Sequence, residues 1–290
     1  MSSCLIRLFF SVFVFALSLP LTAAELKATA RESAGRWKKA VINVKLVAKV
    51  KLPNGEEDQK LEVTGTVIDP SGLTVVSAQS IDPAALIRTF FNSVSPGQGQ
   101  NFKFESEVRE TALILDDGTE VEADVVLKDS DLDLAFVRPR ESTRTYEFIP
   151  LKPPMAPPDL LEDVFVISRL GRSENRSISI STGLVQAIVK GPRPFYVCND
   201  ELSAGSVGTI AFNAGGATLG VFVLKPKQNT GDGGMGALMT MVTGGRGGAG
   251  STVILLPVED LIEVAAQAKE AKLLDKTPQT ETAPAAPPQR

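Results

Sequence analysis

No histidine occurs anywhere in this 290-residue chain. Imidazole is the one side chain whose unperturbed pKa lies near neutrality. Its absence removes the usual general base of hydrolytic enzymes and the commonest zinc ligand. Cysteine is almost as scarce. Of the two present, Cys4 lies in an apolar N-terminal segment, which leaves Cys198 alone. A single thiol forms no internal disulfide, so packing must hold the fold, and the donor set for a zinc site is missing. With no imidazole to activate it, Cys198 reads as a buried structural residue, a free reactive thiol being the alternative. There is no excess of positive charge either: 30 basic against 34 acidic residues give a net −4, with nothing to draw the chain to nucleic acid or anionic lipid. No apolar run has the length of a transmembrane helix.

The run that comes nearest, residues 8–19, follows Arg7 and ends at Pro20. Small residues Thr22, Ala23 and Ala24 then precede Glu25. That is the pattern of a secretory signal peptide over 1–24, with an uncleaved anchor as the alternative. Cleavage removes one Arg and no acid, and leaves no stable membrane span. The expected location is periplasmic or extracellular. One Trp and two Tyr are few, but 14 Phe supply bulk for a core.

A short amphipathic helix is expected over 25–37. Short strands rich in β-branched residues then recur: 40–52, 61–68, 73–77, 111–115, 121–127, 134–138, 164–168, 178–189, 206–212, 219–224 and 252–256. Turn signals separate them, including Pro53-Asn54-Gly55 and Asp117-Gly118. Many short strands at this spacing imply an all-β barrel or sandwich. The proline-rich stretch 150–158 divides them into two groups. The expected organisation is therefore an N-terminal barrel over 25–150 and a C-terminal barrel over 151–275, the latter closing with a helix that Pro257 and following acids open. Residues 276–290 are too poor in apolar side chains to fold alone. Two insertions interrupt the pattern. Residues 83–107 carry Phe90, Phe91, Phe102 and Phe104, a contact surface or a plug over the barrel. Residues 225–250 are rich in Gly and read as a mobile loop. Within it, 244–250 lacks the Gly-Lys-Ser/Thr of a phosphate loop.

Three ordered segments carry a resemblance. They are Gly65-Thr-Val-Ile-Asp-Pro-Ser-Gly-Leu-Thr-Val-Val-Ser-Ala-Gln79, the run from Leu115 through Asp129-Ser-Asp-Leu-Asp133 to Val137, and Ala204-Gly205-Ser206-Val207-Gly208-Thr209. Together they resemble the trypsin-like, chymotrypsin-fold serine proteases, the HtrA/Deg branch most, over about residues 35–270, with no PDZ-type domain after them. The resemblance implies two six-stranded antiparallel β-barrels. It places Gln79 at the catalytic His position, Asp133 at the triad Asp and Ser206 at the nucleophile. The interval from Asp133 to Ser206, 73 residues, fits the family. The interval from Gln79 to Asp133, 54 residues, is longer, and the Phe-rich insertion accounts for it.

The triad is degenerate on these residues. A serine hydroxyl is a weak nucleophile until a base takes its proton, and a carboxamide takes none near pH 7. Losing the base of such a triad costs on the order of 10⁶ in turnover. The loop that forms the oxyanion hole also departs from Gly-Asn-Ser-Gly-Gly-Pro. Ala204 replaces a glycine, and Val207, β-branched, tolerates a positive φ poorly. The acidic residues Asp116, Asp117, Asp129, Asp131 and Asp133 lack a dedicated calcium pattern and read as turn formers. No cofactor and no metal are expected. The expected function is a pseudoprotease: an exported module that binds a peptide or protein, of unspecified oligomeric state. The alternative is a weak or unconventional hydrolase using Ser206, with a lysine such as Lys190 or Lys225 as base.

Overall fold

The computed structural model describes residues 23–271, apart from 53–54, 86, 88–104, 142, 204 and 227–250. The first helix, α1 (Ala23–Trp37), places Leu26, Ala30 and Ala34 four residues apart on one buried face, which packs against the second barrel. Strands β1 (Val41–Leu52), β2 (Gly55–Val67), β3 (Thr74–Ser77), β4 (Glu105–Ile114), β5 (Glu120–Asp129) and β6 (Leu134–Pro139) follow. They close a barrel in the order β1-β2-β3-β6-β5-β4. Strands β7 (Asp163–Arg169), β8 (Ile178–Val189), β9 (Phe195–Cys198), β10 (Ile210–Asn213), β11 (Thr218–Pro226) and β12 (Ser251–Pro257) close a second in the order β10-β11-β12-β9-β8-β7. All pairings within both barrels are antiparallel. A one-turn helix, α2 (Asp200–Ser203), precedes β10, and α3 (Val258–Glu270) ends the described chain. This is the two-barrel, chymotrypsin-like all-β architecture.

Several elements differ from the sequence expectation. The strand expected over 61–68 starts at Gly55, because β1 pairs with β2 without interruption from Val41↔Thr66 to Leu52↔Gly55 and so orders the polar residues Glu56 to Lys60. The strand expected over 206–212 is confined to Ile210–Asn213, since 206–209 are spent on turns around two glycines. Strand β9 and helix α2 were not expected: Pro192 and Pro194 mask the short strand after them, and four residues are too few for helical periodicity. The closing helix ends at Glu270. Most of the signal segment, the four phenylalanines of the first insertion, and most of the Gly-rich loop fall outside the described residues, while Ala23 and Ala24 open α1.

The barrels share their larger core. Along β7, Val164 and Val166 point into the second barrel, while Phe165 and Ile167 point out of it into a cluster built from both barrels, α1 and α3. The period-2 alternation of a strand makes this possible only where both faces are apolar. Phe165 stacks on Phe212 there, with ring centroids 5.1 Å apart.

Two arginines tie the barrels from the outside of that core. The buried Arg169 guanidinium donates from Nε to Val41 O (2.7 Å), from Nη1 to Arg176 O (2.9 Å) and from Nη2 to Lys38 O (2.6 Å) and Asp116 (2.8 Å). On the other side, Arg138 of β6 donates to Ala268 O, Lys269 O and Ala271 O at 2.6, 2.9 and 2.9 Å. It thereby caps the C-terminal carbonyls of α3, where a cation also complements the helix dipole.

Candidate functional site

The site lies where the end of β3, the turn before β6 and the middle of β11 meet. Ser77 ends β3 and pairs with Leu134, which opens β6. The Ala78 amide donates to Asp133 O at 3.0 Å, fixing the two turns side by side. Asp133 sits in the left-handed region, with a φ of 56°, and is 1% exposed. An Asp is among the few residues that take this backbone without large cost, and here it turns the carboxylate back under β3.

That carboxylate is saturated. The Gln79 amide donates to Oδ1 at 2.7 Å, and the Ser77 hydroxyl and Leu224 amide donate to Oδ2 at 2.7 and 2.6 Å. Burial pushes the Asp133 carboxyl above the ordinary carboxylate range; the three donors pull it only part of the way back. Gln79 is joined to Asp133 through its backbone, not its side chain. Its side-chain Nε2 crosses to the second barrel and donates to Leu224 O at 3.0 Å, and its Oε1 accepts from Ser251 Oγ at 3.5 Å.

Ser206 is not part of this network. It is 2% exposed, and its hydroxyl donates to the carbonyl of Leu202, four residues earlier. Its own carbonyl accepts from the Thr209 amide at 3.0 Å and the Thr209 hydroxyl at 2.5 Å. The loop is pinned on both flanks. Gly205 O accepts from Ser168 Oγ at 3.2 Å, and the Gly208 amide donates to Phe222 O at 2.8 Å. Gly208 has a φ of 83°, and a Cβ there would sit 2.7 Å from Thr64 O of β2, so only glycine fits.

The three residues that motif spacing aligned are therefore brought together only in part. Gln79 and Asp133 touch; Ser206 bonds to neither. The conflict expected at Val207 does not arise, because the positive φ angles of this loop fall on Gly205 and Gly208. Ala204 lies outside the described residues. The acidic residues disperse into turns and ties: Asp129 Oδ1 accepts from the Asp131 and Leu132 amides, both at 3.0 Å, Asp117 Oδ1 from the Thr119 amide at 2.9 Å, and Asp116 pairs with Arg169. Sequence reasoning missed Ser77, Leu202, Leu224 and Ser251. Ser77 was within reach of inspection, two residues before Gln79 in the same motif segment. Leu202 acts on Ser206 from four residues away through its backbone carbonyl, and Leu224 and Ser251 act across the chain through backbone groups and a hydroxyl; no pattern of residue types reveals these contacts.

Chemically, no proton relay joins these groups among the described residues. Among the described residues the Ser206 hydroxyl is partnered by a peptide carbonyl, which does not take a proton near neutrality, and the Gln79 amide cannot act as a base. Beside the site, between the barrels, lies a cavity of about 400 Å³. Its floor includes Leu132, Val223 and Ile254, and its rim Asp131, Arg193 and Lys225. The Lys225 ammonium rests 4.0 Å over the Phe195 ring.

Two closed six-stranded antiparallel barrels define a chymotrypsin-like all-β fold. The family-level description of the trypsin-like peptidase domain matches residues 63–221, more than half of the chain, and the protein belongs to that family. A search of curated proteins finds no match.

Proposed function

We propose that this protein is a non-catalytic member of the trypsin-like family, exported through its N-terminal segment, that binds a peptide or protein segment at the seam between its barrels. The observation that carries the reading is the state of Ser206: a buried hydroxyl committed to Leu202 O, in a chain with no imidazole. The order of the three motif segments favours kinship with the HtrA/Deg branch. The apolar floor of the inter-barrel cavity, rimmed by charge, offers a place for side chains of a bound segment.

A fluorophosphonate probe tests the lack of activity. No labelling of Ser206 is expected. Gln79→His is expected to leave peptide hydrolysis at background, because the new imidazole would still face a serine turned toward Leu202. Stoichiometric labelling, abolished in Ser206→Ala, would overturn the reading. Export is tested by N-terminal sequencing of the protein recovered outside the cytoplasm. The mature chain should begin at Glu25, and a chain retaining residues 1–24 would refute cleavage.

A further inference from the structure

Three leucines stand in solvent at one end of the ladder between β7 and β8. Leu160 and Leu161 are 55% and 71% exposed, and Leu184 is 37% exposed. The first two form the corner of a tight turn, closed by the Glu162 amide donating to Asp159 O at 3.2 Å. Side chains brace that turn. The Asp159 amide donates to Glu162 Oε2 at 3.0 Å, and the Leu160 amide donates to Asp159 Oδ1 at 2.7 Å. Val185 of β8 ties the turn down: its carbonyl accepts from the Leu161 amide at 2.8 Å, and its amide donates to Glu162 O at 3.1 Å. Leu184, the neighbour of Val185 on β8, pairs with Asp163.

The needs of folding do not account for these side chains. Leu161 has a φ of 65°. At the third position of a turn that backbone suits glycine or asparagine, and a leucine there is strained. Its exposed side chain gains little burial in return. The surroundings carry charge of one sign: segments 157–163, 183–186 and 199–203 contain Asp159, Glu162, Asp163, Asp200 and Glu201, and no lysine or arginine. Asn199 brings the last two alongside by gripping Leu184 at both backbone groups. Its Oδ1 accepts from the Leu184 amide at 3.0 Å, and its own amide donates to Leu184 O at 3.3 Å. An apolar centre within a polar rim is the anatomy of a protein interface. An acidic rim selects a basic partner and repels anionic lipid.

We propose that this end of the second barrel docks a cationic amphipathic segment of a partner protein, whose apolar side chains rest on Leu160, Leu161 and Leu184 and whose Lys or Arg residues face the acidic rim. The surface shares no residue with the cavity between the barrels, and it stands whether or not that cavity binds a peptide. The braced turn presents its leucines already placed, so docking costs little ordering on this side.

The test uses the full mature chain and a fluorescein-labelled helical peptide of Leu and Lys alone, with the leucines on one face, and a Leu and Glu twin as control. Fluorescence anisotropy should show the Leu-Lys peptide binding the wild type and the twin not binding. Leu161→Asn should weaken that binding about tenfold, the worth of burying one leucine, and should melt no lower than the wild type. Glu201→Gln should weaken it about two- to threefold, an effect that added salt erases. Leu160→Ser decides the matter if Leu161→Asn fails to fold, and it too should lose about tenfold. Unchanged binding in both leucine variants would overturn the proposal, as would equal binding of the twin. Protein that floats with phosphatidylcholine vesicles, and no longer does so as Leu161→Asn, would make the patch a membrane contact and overturn the cationic partner. A wild type that leaves the Leu-Lys peptide unbound would overturn the proposal outright.

Discussion

Arg169→Met should lower the unfolding free energy by about 3–5 kcal/mol, read as a fall in the urea midpoint with the slope unchanged. Arg169 is 7% exposed, and its guanidinium serves three carbonyls, those of Lys38, Val41 and Arg176, besides Asp116. Methionine fills much of the aliphatic volume but leaves those carbonyls without their donor, at a cost of about 1–3 kcal/mol for each group that water cannot reach. The Asp116 side chain is 37% exposed and regains water, so the carbonyls, not the ion pair, set the size of the effect. Arg169→Lys should recover only part of the loss, because one ammonium cannot reproduce a planar fork aimed at separate acceptors. A variant as stable as the wild type would show that the barrels do not depend on this tie.

Asp133→Ala should be comparably destabilising, about 3–5 kcal/mol, although a carboxylate serving only catalysis would be dispensable to the fold. The substitution strands the Ser77 hydroxyl and the Gln79 and Leu224 amides at the seam. The pH dependence separates this from a simple cavity effect. Burial holds the folded carboxyl above its ordinary value, so the ionised form opposes folding at neutral pH. That opposition eases as pH falls through the raised value, and it is gone below the unfolded value near 3.8. The margin of the wild type over Asp133→Ala should therefore widen on mild acidification. Asp133→Asn removes the charge but keeps the shape and should lose about 1–2 kcal/mol, with no pH dependence at this site. A margin that shrinks on acidification would contradict this account of the carboxylate.

The barrels were legible because their strands punctuate themselves. The run 178–189, β-branched and flanked by turn residues, was read at the same bounds at which β8 forms. The start of β2 was not legible, since Glu56 to Lys60 carry no apolar signal and become strand only through their register with β1. Gln79 and Asp133 were singled out by the family resemblance, and the Gln79 backbone amide donates to the Asp133 carboxylate. What those residues do was not legible. The Gln79 side chain spends its donor on Leu224 and its acceptor on Ser251, partners 145 and 172 residues away, and nothing local in the sequence announces a backbone carbonyl as a destination. Ser206 shows the opposite failure. Its motif was visible, but the rotation of its hydroxyl toward Leu202 is a matter of loop packing around Gly205 and Gly208.

The apolar cluster that runs through both barrels bears on how the molecule melts. The second barrel keeps only a small private interior, centred on Phe222, Val164 and Val166, while Phe165, Ile167, Phe212 and Leu256 lie in the common one. A barrel parted from its neighbour would expose that shared face to water, and the remaining interior would not offset the loss. The proline-rich connector looks like a border between two domains, but heat or denaturant should find no weak line there. The halves are bound into one cooperative transition, and a partly opened state with one barrel intact has little to hold it together.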